Sequence, residues 1–202
     1  MNPSDILIIA CSPRKDGNSD FAAREVAGAA AGLGLDPELL YLRDFHVIPC
    51  LGCGKCALSP DFDCVLDQKD QCRYLLDKIK HSDLVCFCSP IFFYHLPACL
   101  KGLIDRGQSF YERWLKTGSH GKKGRALSVL VAGRKTGRSL FTGSLLTLKY
   151  FFDPFNRELS HLCLRGIDGK GDLALDTEAR SRIRDYVAAE VQESRAGFQR
   201  NG

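Results

Sequence analysis

The sequence predicts an α/β protein built on an open, parallel, five-stranded sheet with helices on both faces. Three observations predict it. Short uninterrupted apolar runs such as Ile6 to Cys11 and Leu84 to Cys88 end abruptly at Ser12-Pro13 and Ser89-Pro90, as strands buried on both faces do. Segments with apolar residues at helical spacing alternate with those runs. A chain of 202 residues, 45% hydrophobic and 26% charged, suits one globular domain spanning residues 1–202.

Ile6 to Cys11 is the first strand. A polar turn, Ser12 to Asn18, leads into an Ala-rich helix over 19–32, with Phe21, Val26 and Ala29 or Ala30 on its apolar side and Asn18 or Ser19 as cap. Leu39 to Leu42 is a short second strand, followed by a cysteine-rich loop at about 48–66. Leu75, Leu76 and Ile79 predict a helix over 71–80, and Leu84 to Cys88 is the third strand. The next helix covers 98–111, with Leu100, Leu103, Ile104 and Gly107 on one face. Ala126 to Ala132 is the fourth strand, ended by Gly133. A helix over 139–152, a fifth strand from Leu159 to Leu164 and a closing helix over 177–193 complete the pattern, with no internal repeat or low-complexity tract.

The net charge of +4 is spread along the chain, and its densest basic stretch, Lys122, Lys123 and Arg125, is short. Nucleic-acid binders concentrate basic residues and interleave aromatics, so none is expected as a partner. The longest apolar runs are about a third of the roughly 20 residues that a membrane-spanning helix needs. No basic region precedes the first apolar run and no cleavage pattern follows it, so a cytoplasmic protein that makes no membrane contact is expected. In a reducing compartment ten cysteines serve as core thiols, catalytic thiols or metal ligands, not structural disulfides. Cys86, Cys88, Cys99 and Cys163 lie in apolar periodic segments and read as core, as does Cys72 in its helix.

Ligands of such sheets sit at the carboxyl ends of the strands, which directs attention to three loops. The first, Cys11-Ser12-Pro13-Arg14-Lys15-Asp16-Gly17-Asn18-Ser19, offers hydroxyls, an amide, an Arg and free N–H groups at a helix start, a set suited to a phosphate dianion or to an ordinary polar turn. The second, Ser89-Pro90-Ile91-Phe92-Phe93-Tyr94-His95-Leu96-Pro97, has three consecutive aromatics, suited to a planar aromatic ligand or to a subunit contact. The third runs from Ala132 and Gly133 to Gly137 and lets a backbone approach a ligand. His95 has no partner that the sequence fixes, and no catalytic acid–base residue is expected.

Ser-Pro-Arg followed by Asn-Ser after the first strand, Ser-Pro-x-Phe-Phe after the third, and Leu100-Lys101-Gly102-Leu103-Ile104-Asp105-Arg106 together resemble the flavodoxin-like NAD(P)H-dependent FMN reductases. The resemblance runs from residue 6 to about 175 and includes Gly166-x-Asp168-x-x-Gly171-Asp172. It implies strand order 2-1-3-4-5 and an FMN site. Ser12, Pro13, Arg14, Asn18 and Ser19 would take the phosphate; Ser89, Pro90, Ile91, Phe92 and Phe93 would line the isoalloxazine; Ala132 and Gly133 would border its other edge. Lys101, Asp105 and Arg106 would be structural or lie at a dimer contact. Departures from the family pattern fall at Cys11, Phe92 and Tyr94, and at Asp70-Gln71-Cys72.

Cys50-x2-Cys53-x2-Cys56-x7-Cys64 places three thiols within seven residues and a fourth close by, with Gly52 and Gly54 letting the loop wrap. Structural zinc sites draw ligand pairs from two distant knuckles, whereas three Cys at two-residue intervals wrap a cubane, as in bacterial ferredoxins. The compact spacing resembles the iron-sulfur flavoproteins, dimers or tetramers in which a [4Fe-4S] cluster exchanges electrons with FMN. Zinc, a bare loop and a redox thiol pair remain as other readings of these four cysteines. The resulting expectation is an electron-transfer flavoprotein or oxidoreductase carrying FMN and a [4Fe-4S] cluster, reduced by NAD(P)H or by a ferredoxin or other electron-transfer protein. A cluster-free FMN or quinone reductase and a non-enzymatic redox sensor are the alternatives.

Overall fold

The computed structural model describes residues 5–118 and 123–199. Its one sheet is parallel throughout, in the order β2-β1-β3-β4-β5, where β1 is Ile6–Ala10, β2 Pro37–Tyr41, β3 Leu84–Pro90, β4 Gly124–Ala132 and β5 Arg157–Arg165. The order implied by the family resemblance is the order observed. Along β1, side chains alternate between faces. Ile6, Ile8 and Ala10 pack with α1 (Asn18–Gly32) and, further along the chain, α8 (Thr177–Gln199), through Val26, Ile183 and Val187. Leu7, Ile9 and Cys11 face the other layer, formed by α3 (Cys72–His81), α4 (Ala98–Arg106), α5 (Gln108–Thr117) and α6 (Thr142–Phe152). There Phe87 meets Phe151 and Phe152 with centroids 6.0 and 5.1 Å apart. Burial on both faces makes β1 and β3 continuous apolar runs, while β2, at the edge, is half-buried throughout.

Cys72, Cys86 and Cys88 are fully buried, and Cys99 and Cys163 are half-buried against the core. Among the described residues no helix is long and apolar enough to cross a membrane. Of the basic stretch, Lys122 lies outside the described residues, and Arg125 bonds the Glu190 carboxylate of α8.

Several boundaries differ from expectation. Gly17, not Asn18 or Ser19, caps α1, because both Asn18 side-chain polar atoms engage the 169–173 turn. The single helix expected over 98–111 is two, broken at Gly107, and the second runs on to Thr117. A Cβ at Gly107 would lie 3.0 Å from the Phe151 ring, so the break is where the chain passes α6 most closely. α6 begins at Thr142 and not at 139, and α8 continues past 193. Two one-turn helices, α2 (Lys55–Leu58) and α7 (Asp172–Leu175), have too few residues for a periodic signal.

A buried arginine ties sheet and helix together. Arg157, at the start of β5, is 5% exposed, and donates from Nε to Ile79 O at 3.1 Å, from Nη1 to Asp83 O at 3.0 Å and from Nη2 to Lys80 O at 3.2 Å and Ser82 O. These carbonyls end α3 and would otherwise be unsatisfied. Burial pulls the guanidinium pKa down to about 10, so it stays charged at neutral pH. Arg157→Ala is expected to lower the unfolding free energy by about 3 kcal/mol in urea melts, through carbonyls stripped of their donor. A loss below roughly 1 kcal/mol would mean that water replaces the guanidinium without penalty.

Candidate functional site

Strand order reverses between β1 and β3, and the crevice at their carboxyl ends is bordered by three loops. In the first, Ser12 is buried and its Oγ accepts from the Arg14 N–H at 3.1 Å. Asp16 adopts a left-handed conformation, φ +56°, which aspartate tolerates better than most residues, and donates its N–H to Asp20 Oδ2 at 2.8 Å. Asp20 is fully buried; its other oxygen accepts from Arg43 Nη1 at 2.9 Å, and Arg43 also reaches Ser12 O at 3.4 Å. This pair fixes the loop from behind. Ser19 is buried in the first turn of α1, while Pro13 and Arg14 are exposed on the crevice side of the turn. The Arg14 guanidinium lies 5.8 Å from the Phe92 ring centroid and bridges to the second loop.

The second loop is a tight hairpin. Phe92 and His95 exchange backbone hydrogen bonds at 2.8 and 2.9 Å around Phe93, φ +47°, and Tyr94, φ +62°. Two-residue turns with both angles positive favour Asn-Gly, and a left-handed residue with a Cβ costs roughly 1–2 kcal/mol. Two aromatics sit in that turn here, and Phe93 is fully exposed. Tyr94 Oη accepts from Arg134 Nη1 at 2.6 Å, which joins the hairpin to the third loop, and the His95 ring lies 3.3 Å from Thr147 Oγ1 on α6. At the hairpin's base Ser89 is buried with its Oγ donating to Pro90 O, and Ile91 N–H bonds Val131 O at 2.9 Å. In the third loop Ala132 is buried, and a Cβ on Gly133 would fall 2.2 Å from Asp168 Oδ1. The close approach that requires Gly133 is therefore one to Asp168.

Cys50, Cys53, Cys56 and Cys64 all line one cavity of about 430 Å³. Gly52 and Gly54 turn the loop at φ +62° and +67°, and Cys50 Sγ accepts from Gly52 N–H at 3.4 Å. The opposite wall is the α4–α5 junction, with Arg106, Gln108, Ser109 and Glu112. α5 also pins the loop from outside: Arg113 donates to Asp61 O at 2.6 Å and Lys116 to Ala57 O. Arg106 is the centre of this arrangement, with its side chain 1% exposed. Its Nη1 donates to Ile48 O at 2.9 Å and Asp70 Oδ2 at 2.5 Å, and its Nη2 to Asp67 Oδ1 at 3.1 Å. Asp70 in turn accepts from Ile48 N–H at 2.8 Å, and Asp67 from Cys64 N–H at 3.0 Å. Both ends of the loop thus close on one guanidinium.

The electrostatics follow from that closure. Burial alone would raise the Asp70 carboxyl, but the hydrogen bonds from Arg106 and from the Ile48 and Cys72 N–H groups, with the Arg106 charge, together outweigh it and hold the group below the usual carboxylate range. Cys56 is pushed up by burial, then by Glu112 and Cys64. The Arg106 Nε–H is buried with no partner among the described residues. Four thiols around one cavity, an internal N–H···S contact and an unsatisfied buried cationic donor suit a four-thiolate iron-sulfur cluster of net negative charge. Among the described residues no three His, Cys, Asp or Glu side chains close on one point, as the ligands of a single ion would.

Residues 4–142 match the family model of NADPH-dependent FMN reductases, more than half of the chain. The chain belongs to this family. Relatives of the reductase-family chain include an iron-sulfur flavoprotein of Methanocaldococcus jannaschii, 34% identical over 104 residues, or 51% of each chain. One from Archaeoglobus fulgidus is 29% identical over 133 residues, 65% of this chain and 61% of that one. The alignments span about half to three-fifths of the length of these curated relatives. Among solved structures, an FMN-dependent NADH-azoreductase from Bacillus anthracis in complex with FMN superposes with a TM-score of 0.67 at 18% identity, over 91% of this chain and 97% of that one. An NAD(P)H:quinone oxidoreductase from Methanothermobacter marburgensis gives 0.63 at 15%, over 91% and 95%. At such identities the likeness is one of fold.

Within this reductase-family fold, the residues read as phosphate and ring contacts border one crevice and the four cysteines border one cavity. Asn18 stands apart, its amide engaged by Gly169 O at 2.9 Å and Leu173 N–H at 3.2 Å. Sequence reasoning missed the supports: Asp20 with Arg43, Arg134 beneath Tyr94, and Asp67 and Asp70 around Arg106. Arg106 at the end of α4 and Arg113 on α5, on either side of the break at Gly107, both reach the cysteine loop.

The latch makes an acid-titration prediction. A carboxyl depressed in the folded state contributes stability above its unfolded pKa of about 3.9 and loses that contribution as pH falls through the lower folded value. Asp70→Asn should lower stability at neutral pH by about 3 kcal/mol, as expected for breaking a buried pair, and should flatten the loss of stability below pH 4. Parallel wild-type and variant curves below about pH 4 would show that Asp70 is not the titrating group.

Proposed function

We propose that this chain is a flavin oxidoreductase that binds FMN in the crevice and holds a [4Fe-4S] cluster on Cys50, Cys53, Cys56 and Cys64, passing electrons between the two. The observation that carries the reading is the convergence of four thiols on one cavity walled by the buried Arg106, in a chain of the FMN reductase family. Names of the relatives as iron-sulfur flavoproteins support it. When bound, FMN exchanges a hydride or single electrons and the cluster one electron at a time, so the pair links two-electron and one-electron chemistry.

The chain's own residues supply binding and order. Arg14, on the exposed rim of a loop with free N–H groups at the start of α1, would meet the phosphate, with the Ser12 and Ser19 region beneath. The hairpin from Pro90 to Phe93 would cover the ring, with Tyr94 anchored on Arg134 so that the aromatic edge keeps its place. α4 starts three residues after the hairpin and ends on Arg106. Nine residues of helix measure about 13 Å, so one short rigid element links the flavin crevice to the cysteine cavity. No acid–base residue is assigned, and NAD(P)H or a ferredoxin-type protein is the proposed donor.

Anaerobically purified protein should show flavin bands over a broad shoulder, with about four iron and four sulfide per chain. Flavin without iron, after reconstitution with iron and sulfide, would make this a cluster-free FMN reductase. Cys53→Ser should lose iron and keep FMN, because the two sites share no ligand. Retention of full iron would remove Cys53 from the ligand set. Arg14→Ala should weaken FMN binding by about 1.5–3 kcal/mol, the range for a hydrogen bond to a charged group, as read by fluorescence titration; unchanged affinity would place the phosphate elsewhere.

A further inference from the structure

The guanidinium of Arg106 presents a problem of hydrogen bonding that the fold alone does not solve. Its Nη groups are engaged by Ile48 O, Asp67 and Asp70. Its Nε–H, in a side chain 1% exposed, has no partner among the described residues. A buried, unsatisfied charged donor costs more than the roughly 1–3 kcal/mol of a neutral one, and such groups call for an explanation. Arg106 lines the cavity bounded by the four cysteines; burial would lower its guanidinium pKa, but the Asp70 hydrogen bond, and then the neighbouring Cys72, Cys64 and Asp70 groups when charged, raise it. Asp67, bonded to Nη2, also receives the Cys64 N–H at 3.0 Å, so Arg106 and the fourth cysteine share one carboxylate.

We propose that Arg106 is the positioning and potential-setting residue of the cysteine cavity, its Nε–H donating to a sulfur of the cluster or of Cys64 while its Nη groups latch both ends of the loop. This deepens the cluster reading given above and rests on it. Reduction of the cluster adds one electron and no proton, so the negative charge beside the guanidinium grows by one. A fixed cation and an N–H···S bond stabilise the reduced state more than the oxidised one and raise the potential. Asp67 and Asp70 balance the guanidinium charge through the Nη groups, so the shift in potential rests on the Nε–H···S bond.

The test is a potentiometric titration, followed by electron paramagnetic resonance, of wild-type holoprotein and Arg106→Lys, with iron and sulfide assayed on both. Lysine keeps the charge and can reach Asp70, but its three donors sit on one terminal nitrogen and nothing replaces the Nε–H at its position along the side chain. The expected result is retained iron and a more negative midpoint. At the wild-type midpoint the ratio of reduced to oxidised cluster should fall about tenfold, equivalent to about 59 mV for a one-electron couple. An iron-loaded variant with the wild-type midpoint would overturn the proposal. Should the variant fail to load iron, wild-type protein grown with ¹⁵N-arginine decides the matter. Pulsed resonance of the reduced cluster should show a ¹⁵N coupling, and its absence would overturn the proposal. Wild-type protein that takes up no iron under reconstitution would instead refute the cluster reading itself, and it would do so before any variant is made.

Discussion

The buried contact of Arg106 with Asp67 and Asp70 is the constraint on which the cysteine region depends. Removing such charges from water is expensive, by several kcal/mol per ion, and only good geometry with further hydrogen bonds offsets it. Here those bonds include Ile48 O, and the carboxylates reach on to the N–H groups of Ile48 and Cys64. The loop needs this closure because it buries little of its own. α2 has no buried residue, and Leu51 and Leu58 are exposed. A segment that removes so little apolar surface from water cannot be ordered by the hydrophobic effect, so polar ties have to fix its shape.

The same solution recurs at three further segments around the sheet. Arg43 stands behind the first loop with Asp20, Arg134 beneath the aromatic hairpin, Arg106 inside the cysteine loop, and Arg157 under the end of α3. Each guanidinium comes from an element distant in sequence and bonds carbonyls, carboxylates or a phenol of the segment it holds. The planar fork of five donors suits that task, because one side chain satisfies several acceptors at fixed angles. Lysine appears in the same role only outside the cavity, at Lys116, where a single carbonyl is to be met.

This explains what could be read from the sequence and what could not. The strands were legible because burial on both faces writes itself as an apolar run, as in Ile6 to Ala10 and Leu84 to Pro90. The cysteine loop was legible because its four cysteines lie within fifteen consecutive residues, Cys50 to Cys64. The supports were not, since Arg106 meets acids 36 and 39 positions away and no local pattern marks the pairing. The break at Gly107 escaped for a related reason: it reflects the approach of Phe151 from a helix some forty residues on, a tertiary contact that overrides local helical periodicity. The approach of Asp168 to Gly133 was likewise invisible, because it joins residues 35 positions apart.

The exposure of the four thiols gives the cavity two unlike sides. Cys50 and Cys53 are exposed, whereas Cys56 and Cys64 are half-buried toward the wall that carries Arg106 and Glu112. Burial, then Glu112 and Cys64, raise the Cys56 thiol above its ordinary value. A thiolate at Cys56 forms against that environment, which the ligation proposed above would have to overcome. Arg106 and Glu112 thus give the cavity wall charges of opposite sign, so the cavity is uneven in charge as well as in the exposure of its thiols.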